Sequence, residues 1–296
     1  MSTRASTTGR WVAAPLVPRR AGVLRRLGRH RTATAGAAIL AAFVIATLLA
    51  PLLLRHDPNE ANFDRVLQRP SAAHPLGTDQ LGRDLLTRVV YGARVSFLIG
   101  ILAVALSAAI GVPVGVISGY QGGRVDIAVQ RVVDLMLAFP GFLLALTLIS
   151  VLGVGVINVV ASVGLATAPT YIRLVRGVAL SIASQVYIEA ARAVGVPEAR
   201  IVRRHVLPNC LPPVIVQSTL QLGAAILTAA GLGFLGLGVR PPTPEWGTML
   251  GEGQTYLFSS WYIATFPGVA IFLTVMAFNL LGDGLRDALD PRMKLG

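Results

Sequence analysis

Asp134 is a carboxylate inside a long apolar stretch, and a charge near mid-bilayer costs about 3 kcal/mol. Such a group has to face protein or a water-filled path, which makes Asp134 a candidate functional residue. The plainer reading is an ion pair with Arg131 at i, i+3, close to a helix end. Hydrolysis within a membrane would require a second aspartate, a G-x-S-G serine or an H-E-x-x-H pair. Only Asp283 of Gly282-Asp283-Gly284 offers itself, at the charged foot of the last apolar run.

Nucleotide and redox chemistry find less support. The chain has a single lysine, Lys294, and a phosphate-binding P-loop needs a lysine directly after its glycines. Gly231-Leu232-Gly233-Phe234-Leu235-Gly236 fits G-x-G-x-x-G, but that pattern has meaning only between a strand and a helix. Here it closes an apolar run, where glycines permit close packing and an unwound helix end. Cys210 stands alone, so no disulfide forms within the chain, and His30, His56, His74 and His205 lack metal-ligand spacing. No cofactor or metal is expected in this chain.

The elements that must position these residues are membrane helices. Of 296 residues, 54% are hydrophobic and only 14% charged, against roughly 25% charged in a soluble domain. The mean hydropathy is +0.66. A net charge of +12 would suggest nucleic acid in a soluble protein; with runs this apolar it reflects the excess of arginine on the inner side of a membrane, and no nucleic-acid partner is expected. A bilayer core of roughly 30 Å takes about 20 helical residues. Charge-free intervals lie between Arg31 and Arg55, Arg94 and Arg124, Asp134 and Arg173, Arg204 and Arg240, and Glu252 and Asp283. Counted from Asp126, the third would make a rod of roughly 70 Å. Gly153-Val154-Gly155 offers a turn in its middle. The expected fold is all-α and polytopic, with six transmembrane helices.

With the N-terminus inside, cytoplasmic segments hold nearly all the surplus arginine, so both termini are expected in the cytoplasm of a cell whose inner membrane the chain crosses. Arg19-Arg20 and Arg25-Arg26 precede an apolar run like an export signal, but Thr32 to Leu54 is too long for a cleaved segment. The organisation expected is a basic cytoplasmic tail (1–31), a first span and outer loop (32–93), a five-helix domain (94–285) with a long inner connection (181–209), and a C-terminal tail (286–296). In the outer loop Leu81, Leu85, Leu86, Val89 and Val90 recur at helical spacing, suggesting a helix lying on the membrane surface or the bundle. Pro140 should kink the helix that carries Asp134.

The connection 181–209 has its own pattern. Tyr187 to Val194 favours helix; Gly195 suits a left-handed helix end; Pro197 restarts a helix and Pro208 stops it. Arg200, Arg203 and Arg204 then share a basic face, opposite Ile201, Val202, His205 and Val206.

Glu189-Ala190-Ala191, Gly195 and Leu207-Pro208 at this spacing resemble the E-A-A-x-x-x-G loop of bacterial ABC importer permeases. His205 stands where isoleucine is usual, though a His-Val-Leu-Pro-Asn ending is familiar in the peptide-permease branch. His74 to Asp79 with Gly82-Arg83-Asp84, Phe234 to Gly238 with Pro241-Pro242 and Trp246-Gly247, and Gly282 to Asp287 are similar to that branch too. The chain is similar to its second, C-type permease subunit. The resemblance implies a type I ABC importer permease fold and no enzymatic activity in this chain. It implies as partners a second permease, one or two ABC ATPase subunits that bind ATP and Mg, an extracytoplasmic substrate-binding protein and the lipid bilayer. Glu189, Ala190, Ala191, Gly195, Arg200, Arg203, Leu207 and Pro208 would form the coupling loop seated on an ATPase subunit, Leu237 to Ser260 the outer lid, and Asp134 a candidate in the substrate path. Di- and oligopeptides are the cargo implied; nickel, haem or glutathione through the same machinery, and an ATP-independent secondary transporter, are the alternatives.

Overall fold

A computed structural model describes residues 27, 28, 30–54 and 56–289. The basic tail up to residue 26 and the segment after 289, Lys294 included, lie outside the described residues. In chain order the helices are α1 (Arg31–Leu53), α2 (Leu85–Gln121), α3 (Gly123–Leu137), α4 (Gly141–Leu152), α5 (Val156–Ala183), α6 (Val186–Ala193), α7 (Glu198–Ile201), α8 (Leu207–Phe234), α9 (Trp246–Gln254) and α10 (Tyr262–Leu289). Four are long and apolar enough to cross a bilayer: α1, α2, the run from α7 through α8, and α10. Two bent pairs, α3–α4 at 90° and α5–α6 at 64°, bring the spans to six when each pair counts once.

The bundle is built on α2 against α5. Ser107, Gly111, Gly115 and Gly119 form a smooth stripe on α2 because each is four residues from the next. Ser107 Oγ donates to the Gly164 carbonyl at 2.7 Å. A Cβ on Gly115 would stand 2.7 Å from the Ile172 carbonyl, and one on Gly119 2.5 Å from that of Arg176. Packing this close leaves no room for any side chain. α8 and α10 complete the core, and α1 lies on α10 where Gly36 meets the Ala277 carbonyl. The far side of α1 exposes Leu48, Leu52 and Leu53, a hydrocarbon-facing surface.

Three local expectations are revised. Leu85, Leu86, Val89 and Val90 are helical, with Leu85 and Val89 packed into the bundle, but they form the first turns of α2 instead of a separate helix, and only Leu81 lies in the loop before it. Asp84 caps this helix by accepting from Thr87 N at 2.8 Å. α2 therefore starts before Arg94 rather than after it and runs unbroken through position 94. Arg88 is paired inside the protein and Arg94 Nη2 donates to the Thr47 carbonyl at 2.7 Å, so neither arginine ends the helix. Pro140 does more than kink: α3 ends at Leu137, and Pro140 sits at the N-cap of α4. Pro208 does not stop the helix ahead of it. Val202–Val206 is a π turn in which Leu207 N donates to the Val202 carbonyl, and the helix continues into α8 with Pro208 in its first turn. Widening the turn absorbs the hydrogen bond that a proline cannot make. Gly153 and Gly155, with φ of 84° and 151°, make the expected turn between α4 and α5.

Candidate functional site

The connection between α5 and α8 forms a bent hook. α6 ends on a pair of bonds, Gly195 N to the Arg192 carbonyl at 2.9 Å and Val196 N to the Ala191 carbonyl at 3.0 Å, with Gly195 at φ 78°. This is the six-to-one and five-to-two closure of a glycine-terminated helix. Arg200 N and Ile201 N then both donate to the Pro197 carbonyl, which starts α7. Ile188, Ile201, Val206 and Cys210 are fully buried against Val175, Ala179 and Ile182, so the hook is seated on α5 and α8 by its apolar face.

Glu189, Ala190, Gly195, Arg200, Arg203 and Pro208 are exposed, while Ala191 and Leu207 are half-buried against the core. The structure thus brings the expected loop residues onto one projecting element. Three further residues fix its shape. Arg192 Nε of α6 donates to Glu198 Oε1 of α7 at 3.0 Å, the Arg192 guanidinium lies 5.2 Å over the ring of Tyr120, and the Tyr120 hydroxyl donates to Glu198. Tyr120 belongs to the end of α2, so the clamp ties both limbs of the hook to the central helix. Sequence reasoning passed over it because no periodicity links Arg192 to Glu198 across the Gly195 turn. A basic and an acidic residue flanking a helix-ending glycine is the one signal that could have pointed there.

Asp134 does not pair with Arg131. Its Oδ1 accepts from Arg173 Nη2 of α5 at 2.6 Å, with both side chains more than half exposed. α3 packs against α5 ahead of the break at Pro140, and that packing supplies a partner far along the chain. Near it Asp126 Oδ2 accepts from Arg176 Nη2 at 2.6 Å, and Oδ1 from Ser118 Oγ at 2.6 Å.

At the opposite end the residues 56–84 and α9 are held by buried charge. Arg83 Nε donates to Asp79 Oδ2 at 2.6 Å and Arg83 Nη2 to Glu252 Oε2 at 3.2 Å; Arg88 Nε lies 3.3 Å from the same Asp79 oxygen. Arg88 Nη1 also donates to the Pro58 carbonyl at 2.9 Å. Glu245 caps α9, accepting from Gly247 N and Thr248 N at 2.8 and 2.9 Å, and Gly233 fits beside it only because a Cβ there would stand 2.6 Å from Glu245 Oε2. The G-x-G-x-x-G stretch is therefore close packing, with Gly231 against the Phe142 ring. His56, His74 and Asp84 offer donor atoms within 4.8 Å of one another, a proximity the sequence spacing hid. His74 Nδ1 donates to Asp84 Oδ1 at 2.9 Å and its Nε2 faces Arg65 Nη1 at 3.3 Å, so both ring nitrogens are engaged in a hydrogen-bond network.

Residues 111–295, more than half of the chain, match the family described as binding-protein-dependent transport system inner membrane component. Residues 20–70 match the N-terminal TM domain of oligopeptide transport permease C. The dipeptide transport system permease protein DppC of Alkalihalophilus pseudofirmus is 44% identical over 270 residues, covering 91% of this chain and 89% of its own. The di/tripeptide transport system permease protein DppC of Pseudomonas aeruginosa is 44% identical, covering 90% and 89%. The glutathione transport system permease protein GsiD of Pectobacterium atrosepticum is 43% identical, covering 91% and 90%. Among solved structures, a chain of the inward-facing MetNI methionine ABC transporter superposes with a TM-score of 0.56 at 23% identity, over 70% of this chain and 96% of that one. That last likeness bears on the fold alone.

Proposed function

The chain belongs to the family of binding-protein-dependent transport system inner membrane components, in its C-type permease branch, and from that membership we propose that it pairs with a second permease to carry small peptides inward at the expense of ATP hydrolysed by separate subunits. It is a multi-pass inner-membrane transport permease. The relatives named above are called dipeptide, di/tripeptide and glutathione permeases, and the substrate class those names share is the short peptide.

The observation that carries the coupling role is the hook. It is rooted at once in α5 and α8 by Ile188, Ile201 and Val206, and it turns Glu189, Arg200 and Arg203 outward. A rigid element joined to two spans converts closure of a partner on one side of the membrane into relative movement of those spans. In this reading the hook faces the cytoplasm and seats in a groove of an ATPase subunit, with Glu189 as a charged anchor. Residues 56–84 and α9 face an extracytoplasmic binding protein, and both termini are cytoplasmic. ATP and Mg belong to the ATPase subunits.

The experiment is co-purification of the assembled importer. Glu189→Lys should release much of the ATPase while the permease stays inserted, and a cysteine replacing Arg203 should react with an impermeant thiol reagent only from the cytoplasmic side. Full ATPase retention by Glu189→Lys would remove the anchor role, and labelling from outside would overturn the orientation.

A further inference from the structure

Midway along α5 and α8 the bundle holds a cavity of about 240 Å³ that is open on one side. Thr167 and Thr170 of α5, Gln221 and Thr228 of α8, and Met136 and Phe142 beside the α3–α4 break line it. Of the polar side chains, Thr167 is engaged, its Oγ1 donating to the Val163 carbonyl at 2.8 Å. Thr170, Gln221 and Thr228 are half-buried and have no hydrogen-bond partner among the described residues. An amide and two hydroxyls left unpaired against hydrocarbon are costly, so membrane helices turn such groups toward protein or a wet path. One helical turn away, toward the hook, the Asp134–Arg173 pair joins α3 to α5 beside Met136 and Leu137. Being more than half exposed, it borders an opening rather than filling the core.

We propose that this cavity is the chain's half of the substrate path, in which Thr170, Gln221 and Thr228 meet the amide groups of a short peptide through uncharged hydrogen bonds and the Asp134–Arg173 pair closes the mouth nearer the hook. The lining carries no fixed charge, so it reads the peptide N–H and C=O groups that all such cargo shares and leaves side chains and termini unselected. Its volume falls below the roughly 300 Å³ at which ligand pockets begin. The shortfall fits a half-path: exposed Phe139 and Gly141 form the open rim, where a second permease would supply the other wall. The proposal rests on the importer reading above.

The test uses the whole importer, with both permeases, the ATPase subunits and a matched binding protein, in vesicles with alanyl-alanine as probe. In a Cys210→Ala background, Thr170→Cys and Gln221→Cys should react with a small water-soluble thiol reagent during turnover, with protection by excess peptide. Ile45→Cys, on the hydrocarbon face of α1, should stay unreacted. Gln221→Leu should lower peptide uptake about tenfold, the size of one lost hydrogen bond in a water-poor site, with the ATPase subunits still co-purifying. Gln221→Asn, which keeps the amide, should recover most of it. Should Gln221→Leu fail to assemble, Thr170→Val carries the same expectation. Unreactive cysteines at both positions, or full uptake by an assembled Gln221→Leu or Thr170→Val importer, would overturn the path while leaving the importer reading intact. An unaltered chain that binds no ATPase subunit would overturn both.

Discussion

Arg192 and Glu198 stand six positions apart on either side of Gly195, and their side chains meet at 3.0 Å over the ring of Tyr120. The pair closes the hook at the point where the chain reverses, and the tyrosine connects that closure to α2. The hook is therefore attached to α2 as well as to α5 and α8.

Reversing one member of this pair should weaken coupling without unseating the subunit. Arg192→Glu should reduce peptide uptake roughly twofold to fivefold, the range of an exposed ion pair. The double exchange Arg192→Glu with Glu198→Arg should recover part of that loss. Measuring uptake against ATP hydrolysed distinguishes loosened coupling from poor assembly, since only the former lowers the ratio.

Gly195→Pro should abolish uptake and depress stimulated ATPase activity while the subunit still inserts. Proline cannot reach φ 78° and removes the N–H that donates to the Arg192 carbonyl. Gly195→Ala keeps that N–H and meets only the strain of a left-handed residue, about 1–2 kcal/mol, so it should retain partial uptake. Equal activity in the proline variant would show that the hook need not hold its bend.

Gly115→Val should destroy the contact between α2 and α5, because its Cβ alone would stand 2.7 Å from the Ile172 carbonyl. Gly177→Ala on α5 meets nothing within 4 Å and should be tolerated. Yield of the detergent-purified importer and its thermal aggregation temperature read the difference.

Asp79→Ala should destabilise the end opposite the hook, leaving the buried Arg83 and Arg88 to share the more exposed Glu252 carboxylate. Breaking such a pair costs about 3–5 kcal/mol. Limited proteolysis of residues 56–84 should accelerate, with the hook unaffected.

Helix content, the number of spans and the position of the hook were legible because each depends on local chemistry. Apolar runs of span length, the turn at Gly153-Val154-Gly155, the helix end at Gly195 and the small-residue stripe on α2 are all properties of neighbours in sequence. Helix edges were less legible. α2 begins at Leu85, ahead of the charge-free interval that follows Arg94, because Asp79, Glu252 and the Thr47 carbonyl satisfy Arg88 and Arg94 from elsewhere in the chain.

The same reason separates the rest. Sequence alone determined that this polypeptide buries itself in lipid and presents one bent basic element, since transfer of apolar residues and the φ preferences of glycine act residue by residue. Only the tertiary structure decided which charges meet: Asp134 with Arg173 instead of Arg131, Glu198 with Arg192 and Tyr120, Arg83 with Asp79 and Glu252. Charged side chains choose their partners by distance in space, whether buried or exposed, and that distance exists only once the helices have packed.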